Sequence, residues 1–203
     1  MPALNRRGVS RTIMTTDFAA ARLNMVESQV RPSDVTDVRI HDAMRSLARE
    51  TFMPAGKAHL AYADASVEYA PGRALMQPRD VAKLIQVLKP RDGDKVLAIA
   101  APYAAAVLEH MGLSVTSLDG DDLTAVSGGP YDVILTEGAV SEAPASWLAA
   151  LAVGGRLGLV ERNGPVGKAC VHIRSAHDIG RRTEFDSTPP MLGGFQKQPG
   201  FAF

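Results

Sequence analysis

From Pro90 onward the chain alternates short apolar runs with turns and helix-like stretches, and this alternation constrains the fold more than any other feature. It predicts strands at residues 95–100, 115–119, 131–136, 156–161 and 169–174, and helices at 103–111 and 143–151. Strands separated by helices need crossover connections, which set successive strands parallel and pack helices on both faces. Gly112 stands where a helix C-cap belongs. With right-handed crossovers and short loops, the economical topology is a doubly wound, mostly parallel sheet.

The first unit of that pattern, residues 96–108, reads VLAIAAPYAAAVL and contains no glycine. In a Rossmann-like α/β fold, a nucleotide lies against the backbone of this strand-to-helix turn. Glycines there allow a tight turn and leave no Cβ to block the ligand. Here the turn holds Ala100, Ala101 and Pro102. Proline lacks an N–H and suits the first turn of a helix, so the helix is expected to start early and narrow any pocket.

The region before Pro90 is helical and irregular. Asp17 can cap a helix running to about Val30, with Leu23, Val26 and Val30 on one face, and Arg31-Pro32 ends it. Ser33 or Thr36 opens a second helix with Val38, Met44 and Leu47 at roughly helical spacing, and Pro54 and Gly56 break the chain again. Residues 62–76, punctuated by Pro71 and Gly72, read as a loop. Pro78 then opens a helix facing Val81, Leu84, Ile85 and Leu88 to the core. Three parts follow: a flexible basic tail over 1–16 with Arg6, Arg7 and Arg11, a helical N-terminal subdomain over 17–89, and an α/β core over 90–203. The core ends in a Pro/Gly-rich stretch, 186–203, that reads as an antiparallel edge element or a packed tail.

Charge and composition exclude several classes. Lys plus Arg and Asp plus Glu number 22 each, without the positive excess of a nucleic-acid or membrane-surface protein. No apolar run approaches the ~20 residues that span a bilayer, and no apolar stretch follows the N-terminal arginines as in a signal peptide. The single cysteine, Cys170, suits a reducing compartment, and the expected location is the cytoplasm. The histidines, His41, His59, His110, His172 and His177, form no metal-ligand spacing, so no metal is expected. Cys170 and His172 share one face of a strand, which reads as packing around a buried, inert thiol, the alternative being a Cys-His nucleophile pair. Two acids end predicted strands. Asp119 is placed to accept from a ribose in such a fold, and Glu137 stands at a sheet end where ligands bind. Taken alone, Asp119 also reads as a solvated turn acid, and Glu137 as an exposed loop carboxylate.

Four segments carry a resemblance. They are ARETFMPAG (48–56), LAYADASVEYAPGRALMQPRDVAKLIQVL (60–88), the DKVLAIA and YAAAVLEHMG runs within 94–112, and PYDVILTEGAVSEAPASWLAALAVGGRLGLVE (130–161). Together they resemble the protein-L-isoaspartate O-methyltransferase family from about Phe18 onward. The resemblance implies a Rossmann-like methyltransferase core that binds S-adenosylmethionine and acts on isoaspartyl residues of a protein or peptide, with a homodimer among the assemblies it allows. It places the cofactor at Ala100, Ala101, Tyr103, Asp119 and Glu137, and the family's Thr-Ile-Ser hydroxyl segment at Ala74, Leu75 and Met76. The chain departs from the family in three places. Ala98, Ala100, Ala101 and Pro102 replace an acid and a glycine-rich turn. Neither Ala74 nor Met76 can donate a hydrogen bond to a carboxylate. Residues 119–131 contract where the family has a helix and a further strand. These departures predict a non-catalytic homologue acting as a binding or assembly protein, the alternative being an active enzyme with an atypical cofactor loop.

Overall fold

The computed structural model describes residues 17–197; the expected basic tail and the last residues, 198–203, lie outside them. In chain order the elements are α1 (Phe18–Met25), α2 (Val38–Ser46), β1 (Val67–Ala70), β2 (Arg73–Leu75), α3 (Pro78–Leu88), β3 (Lys95–Ile99), α4 (Pro102–His110), β4 (Ser114–Leu118), β5 (Tyr131–Val140), α5 (Ala145–Ala149), β6 (Leu151–Glu161), β7 (Gly167–Arg174) and β8 (Ile179–Ser187). Six strands form one sheet in the order β4-β3-β5-β6-β7-β8. β4, β3, β5 and β6 run parallel, and β7 and β8 add antiparallel. This is the expected α/β class. The chain leaves β3 first for β4 on one side and then for β5 on the other, so the strand order reverses at β3. In an open parallel sheet that reversal marks the crevice where ligands bind.

The sheet core follows from the pleat. Along β3, Val96 and Ala98 pack with α1 to α4 on one face, while Leu97 and Ile99 pack with Ile134, Leu157 and Leu159 on the other. The faces are covered unequally. The second is closed by the five-residue α5 through Trp147, by Leu123 of the 119–130 segment, and by Leu192 near the C-terminus. Residues 119–130, where a contraction is expected, form turns with no helix or strand.

Several expectations need correction. Asp17 does cap α1, accepting from the Ala19 and Ala20 N–H groups at 3.1 Å, but the helix loosens into a π-helical turn over Val26–Val30. Leu23 is turned outward, 53% exposed, because the inward face is carried by Met25, Val26 and Val30. α2 starts at Val38 behind an Asp37 cap, which places Val38 in its first turn at 66% exposure. Residues 62–76 hold the β1–β2 hairpin, turning at Pro71 and Gly72, and its three- and four-residue strands are too short to show alternation. β8 was not expected: its charges, Arg181, Arg182 and Glu184, hide a strand period and suit the sheet edge it forms among the described residues. β5 runs on through Val140 and β6 starts at Leu151, both longer than predicted, and α5 is shorter. Beyond β8 the chain is a packed segment in which Met191 bridges Ala139.

Candidate functional site

The residues singled out in the sequence converge at the carboxyl ends of β3, β4 and β5. Ile99 pairs with Thr136, so Glu137 lies one residue beyond the end of β3, against the start of α4. It is buried, 1% exposed, and not the exposed loop acid that its position suggests. One carboxylate oxygen accepts from the Ala104 N–H at 3.0 Å, the other from the Met76 N–H at 2.8 Å. Ala104 sits in the first turn of α4, where unpaired N–H groups and the helix dipole favour an anion. Burial raises the Glu137 carboxyl above the ordinary carboxylate range; the Arg49 guanidinium and the backbone donors oppose that shift.

Arg49 was not anticipated. It is fully buried in a short 3-10 turn, Arg49–Phe52. Its Nε donates to the Ala61 carbonyl at 2.9 Å and its Nη2 to the Met76 carbonyl at 2.5 Å. The guanidinium stacks 4.4 Å from the Tyr103 ring centroid, and Phe52 meets the same ring edge-on at 5.6 Å. Burial lowers the Arg49 pKa, with Glu137 opposing, and burial raises that of Tyr103. Among the described residues, Arg49 Nη1 and the Tyr103 hydroxyl find no hydrogen-bond partner. The Arg49 segment, residues 48–56, was singled out in the sequence for its resemblance, but nothing local in it marked the arginine as buried. Met76 thus serves both charges through its backbone, while its side chain and that of Ala74 belong to the core.

The turn itself is filled. Ala100 adopts φ +46°, a left-handed conformation that favours glycine, and its N–H donates to the Leu118 carbonyl at 2.9 Å. Ala101 precedes α4, Pro102 opens the helix as predicted, and Ala100, Ala101 and Tyr103 are all buried.

Asp119, one residue past β4, faces the hairpin. Tyr69 Oη donates to Oδ2 at 3.0 Å. Arg73 Nη1 lies 2.9 Å from Oδ1 as an ion pair off the hydrogen-bond axis, and its Nη2 donates to the Gly120 carbonyl at 2.6 Å. Burial, then the Asp119 charge, raises the Tyr69 phenol and keeps it protonated.

Cys170 and His172 make no pair. His172 Nε2 is 2.9 Å from Glu161 Oε1, while Arg181 donates to the other Glu161 oxygen at 2.8 Å and lies 2.9 Å from the Cys170 sulfur. Burial raises the thiol pKa, as suits an inert cysteine. Among the described residues no group of three or more His, Cys, Asp or Glu side chains could hold a metal ion. No helix among them is long and apolar enough to cross a membrane.

Comparison with known proteins bears on this arrangement. The family described as Protein-L-isoaspartate(D-aspartate) O-methyltransferase (PCMT) matches residues 21–118. The chain is similar to a protein-L-isoaspartate O-methyltransferase of Methylorubrum populi, 33% identical over 165 residues that cover 68% of this chain and 78% of the relative. A relative of the same name from Methylorubrum extorquens is 39% identical over 116 residues, 56% of this chain, and the chain spans 51% of that relative's length. Two solved structures share the fold. One is a protein-L-isoaspartate O-methyltransferase with TM-score 0.64 and 20% identity, covering 81% of this chain and 63% of that one. The other is a beta-aspartate methyltransferase (PCMT) from Plasmodium falciparum in complex with S-adenosyl-L-homocysteine, with TM-score 0.65 and 17% identity, covering 88% of this chain and 99% of that one.

Proposed function

The chain belongs to the protein-L-isoaspartate O-methyltransferase family, and from that footing we propose that it keeps the scaffold and a protein- or peptide-facing role while its own methyl transfer is impaired. The observation that carries this reading is the occupation of both strand-end carboxylates by the protein itself. Glu137 spends its two oxygens on the Ala104 and Met76 N–H groups, and Asp119 meets Tyr69 and Arg73. S-adenosylmethionine does not fit these residues as they stand. The Ala100 and Ala101 methyl groups and the Tyr103 ring fill the turn, and no acid stands at Ala98 to meet the cofactor's charged end. Ala74 and Met76 supply no hydroxyl to orient a substrate carboxylate.

A calorimetric titration of the full chain with S-adenosylmethionine tests this. Binding weaker than about millimolar is expected, equivalent to less than ~4 kcal/mol; micromolar binding would sink the reading. A second reading, an active protein carboxyl methyltransferase with an atypical cofactor loop, draws on two observations. Asp119 still ends β4, and Ala100 still holds the backbone conformation that a glycine would take. It fails if the purified protein transfers no methyl group to an isoaspartyl peptide above a blank without protein.

A further inference from the structure

Two short segments meet over the carboxyl ends of β4 and β5. The first is the β1–β2 hairpin, whose Tyr69 and Arg73 reach both oxygens of Asp119 while Arg73 also holds the Gly120 carbonyl. The second is the stretch after β8. There the Ala139 N–H donates to the Pro190 carbonyl at 2.9 Å and the Leu192 N–H to the Ala139 carbonyl at 2.8 Å. Leu192 is buried against Gly138, where a Cβ would come within 2.9 Å of the leucine side chain. The two segments are joined at their tips. The Gly193 N–H donates to the Gly72 carbonyl at 2.9 Å, and a Cβ on Gly72 would stand 3.0 Å from the Gly193 Cα. Hairpin and C-terminal strap therefore form one two-piece lid.

The chemistry of the contact suggests what the lid competes with. A carboxylate at this place in an open α/β fold accepts from a ribose hydroxyl, and its second oxygen can accept from the neighbouring one. Here a phenol O–H donates to one of those oxygens and a guanidinium forms an ion pair with the other. We infer that the hairpin is an autoinhibitory latch, in which Tyr69 and Arg73 stand in for the vicinal hydroxyls of a nucleoside, so that a ribose reaches Asp119 only when the latch lets go. The inference rests on the reading of this cleft given above. The latch is built to release. Asp119 is 36% exposed at its side chain, so water can replace its two partners when the hairpin lifts, although Arg73 is 16% exposed and its Nη1 is buried in the closed form. Glu137, by contrast, has no route out of the core.

Two measurements on the full chain test this. In the first, Asp119→Asn removes the charge that holds the hairpin and leaves Arg73 as a trypsin site. Cleavage between Arg73 and Ala74, followed by mass spectrometry, is expected to accelerate about fivefold over the wild type, the scale of one partly buried ion pair at the low end of its range. An unchanged rate overturns the latch. In the second, Tyr69→Phe combined with Arg73→Ala frees Asp119. Equilibrium dialysis is expected to show adenosine binding about fivefold tighter than to the wild type, with no gain for 2′,3′-dideoxyadenosine. An unchanged adenosine affinity in a variant with wild-type circular dichroism overturns the latch, and an equal gain for both nucleosides overturns the diol stand-in. Should the double variant not fold, the Asp119→Asn cleavage rate decides alone. The ratio of variant to wild type decides the latch whatever the wild-type affinity. The wild-type S-adenosylmethionine isotherm alone decides whether the cofactor step is impaired.

Discussion

Glu137 and Asp119 are both strand-end carboxylates beside β3, yet they are held in opposite ways. Glu137 is buried and fixed by backbone N–H groups from α4 and from Met76, with the Arg49 charge nearby. Asp119 is partly exposed and fixed by the side chains of a hairpin. The difference teaches that one acid has become part of the core while the other remains a contact that can open. A backbone donor cannot swing away without unfolding its element. A tyrosine and an arginine on a three- or four-residue strand can.

The largest effect is expected at Glu137. Glu137→Ala leaves Arg49 buried without its opposing charge and strands the Ala104 and Met76 N–H groups. A loss of about 3–5 kcal/mol should appear in urea unfolding. A loss under about 1 kcal/mol would erase the contrast with Asp119. Glu137→Gln keeps the shape and one acceptor, so a smaller penalty is expected, and it should depend on pH. Burial raises the folded pKa of Glu137 above its unfolded value. Its contribution is therefore full below the unfolded carboxylate pKa and is lost as pH rises through the folded value. The glutamine variant, which cannot titrate, should fall further behind the wild type as pH is lowered from neutrality. Paired thermal melts across that range check the slope, and a penalty independent of pH would mean that the carboxylate is not held in a dry site. The smallest effect is expected at the latch. Arg73→Ala should cost about 1 kcal/mol at low salt, the ion-pair part fading at high salt while the part carried by the Gly120 hydrogen bond persists. A larger, salt-independent loss in urea melts would move the hairpin from the latch into the core.

The sequence carried the fold further than it carried the site. The β3–turn–α4 unit was readable because strand alternation, Pro102 at the helix start and Gly112 at its end are all local signals. Asp119 was readable as a strand-end acid for the same reason. Its partners were not, since Tyr69 stands 50 residues away in a stretch that its proline and glycine mark as a loop. Glu137 was misjudged as exposed because its burial depends on Met76, 61 residues away, and on the packing of Arg49. Local pattern gives the strand end. Only the long-range packing decides whether a carboxylate placed there meets water, a backbone or a side chain.

Trp147, the chain's only tryptophan, lies on the thinly covered face of the sheet. Its indole N–H donates to the Leu123 carbonyl at 2.7 Å, and its ring packs 5.2 Å from that of Phe195. Intrinsic fluorescence therefore samples the contracted 119–130 turns and the C-terminal strap, while far-ultraviolet circular dichroism is weighted towards the helices of the opposite face. The molecule carries a built-in optical label for the thinly covered face of its sheet.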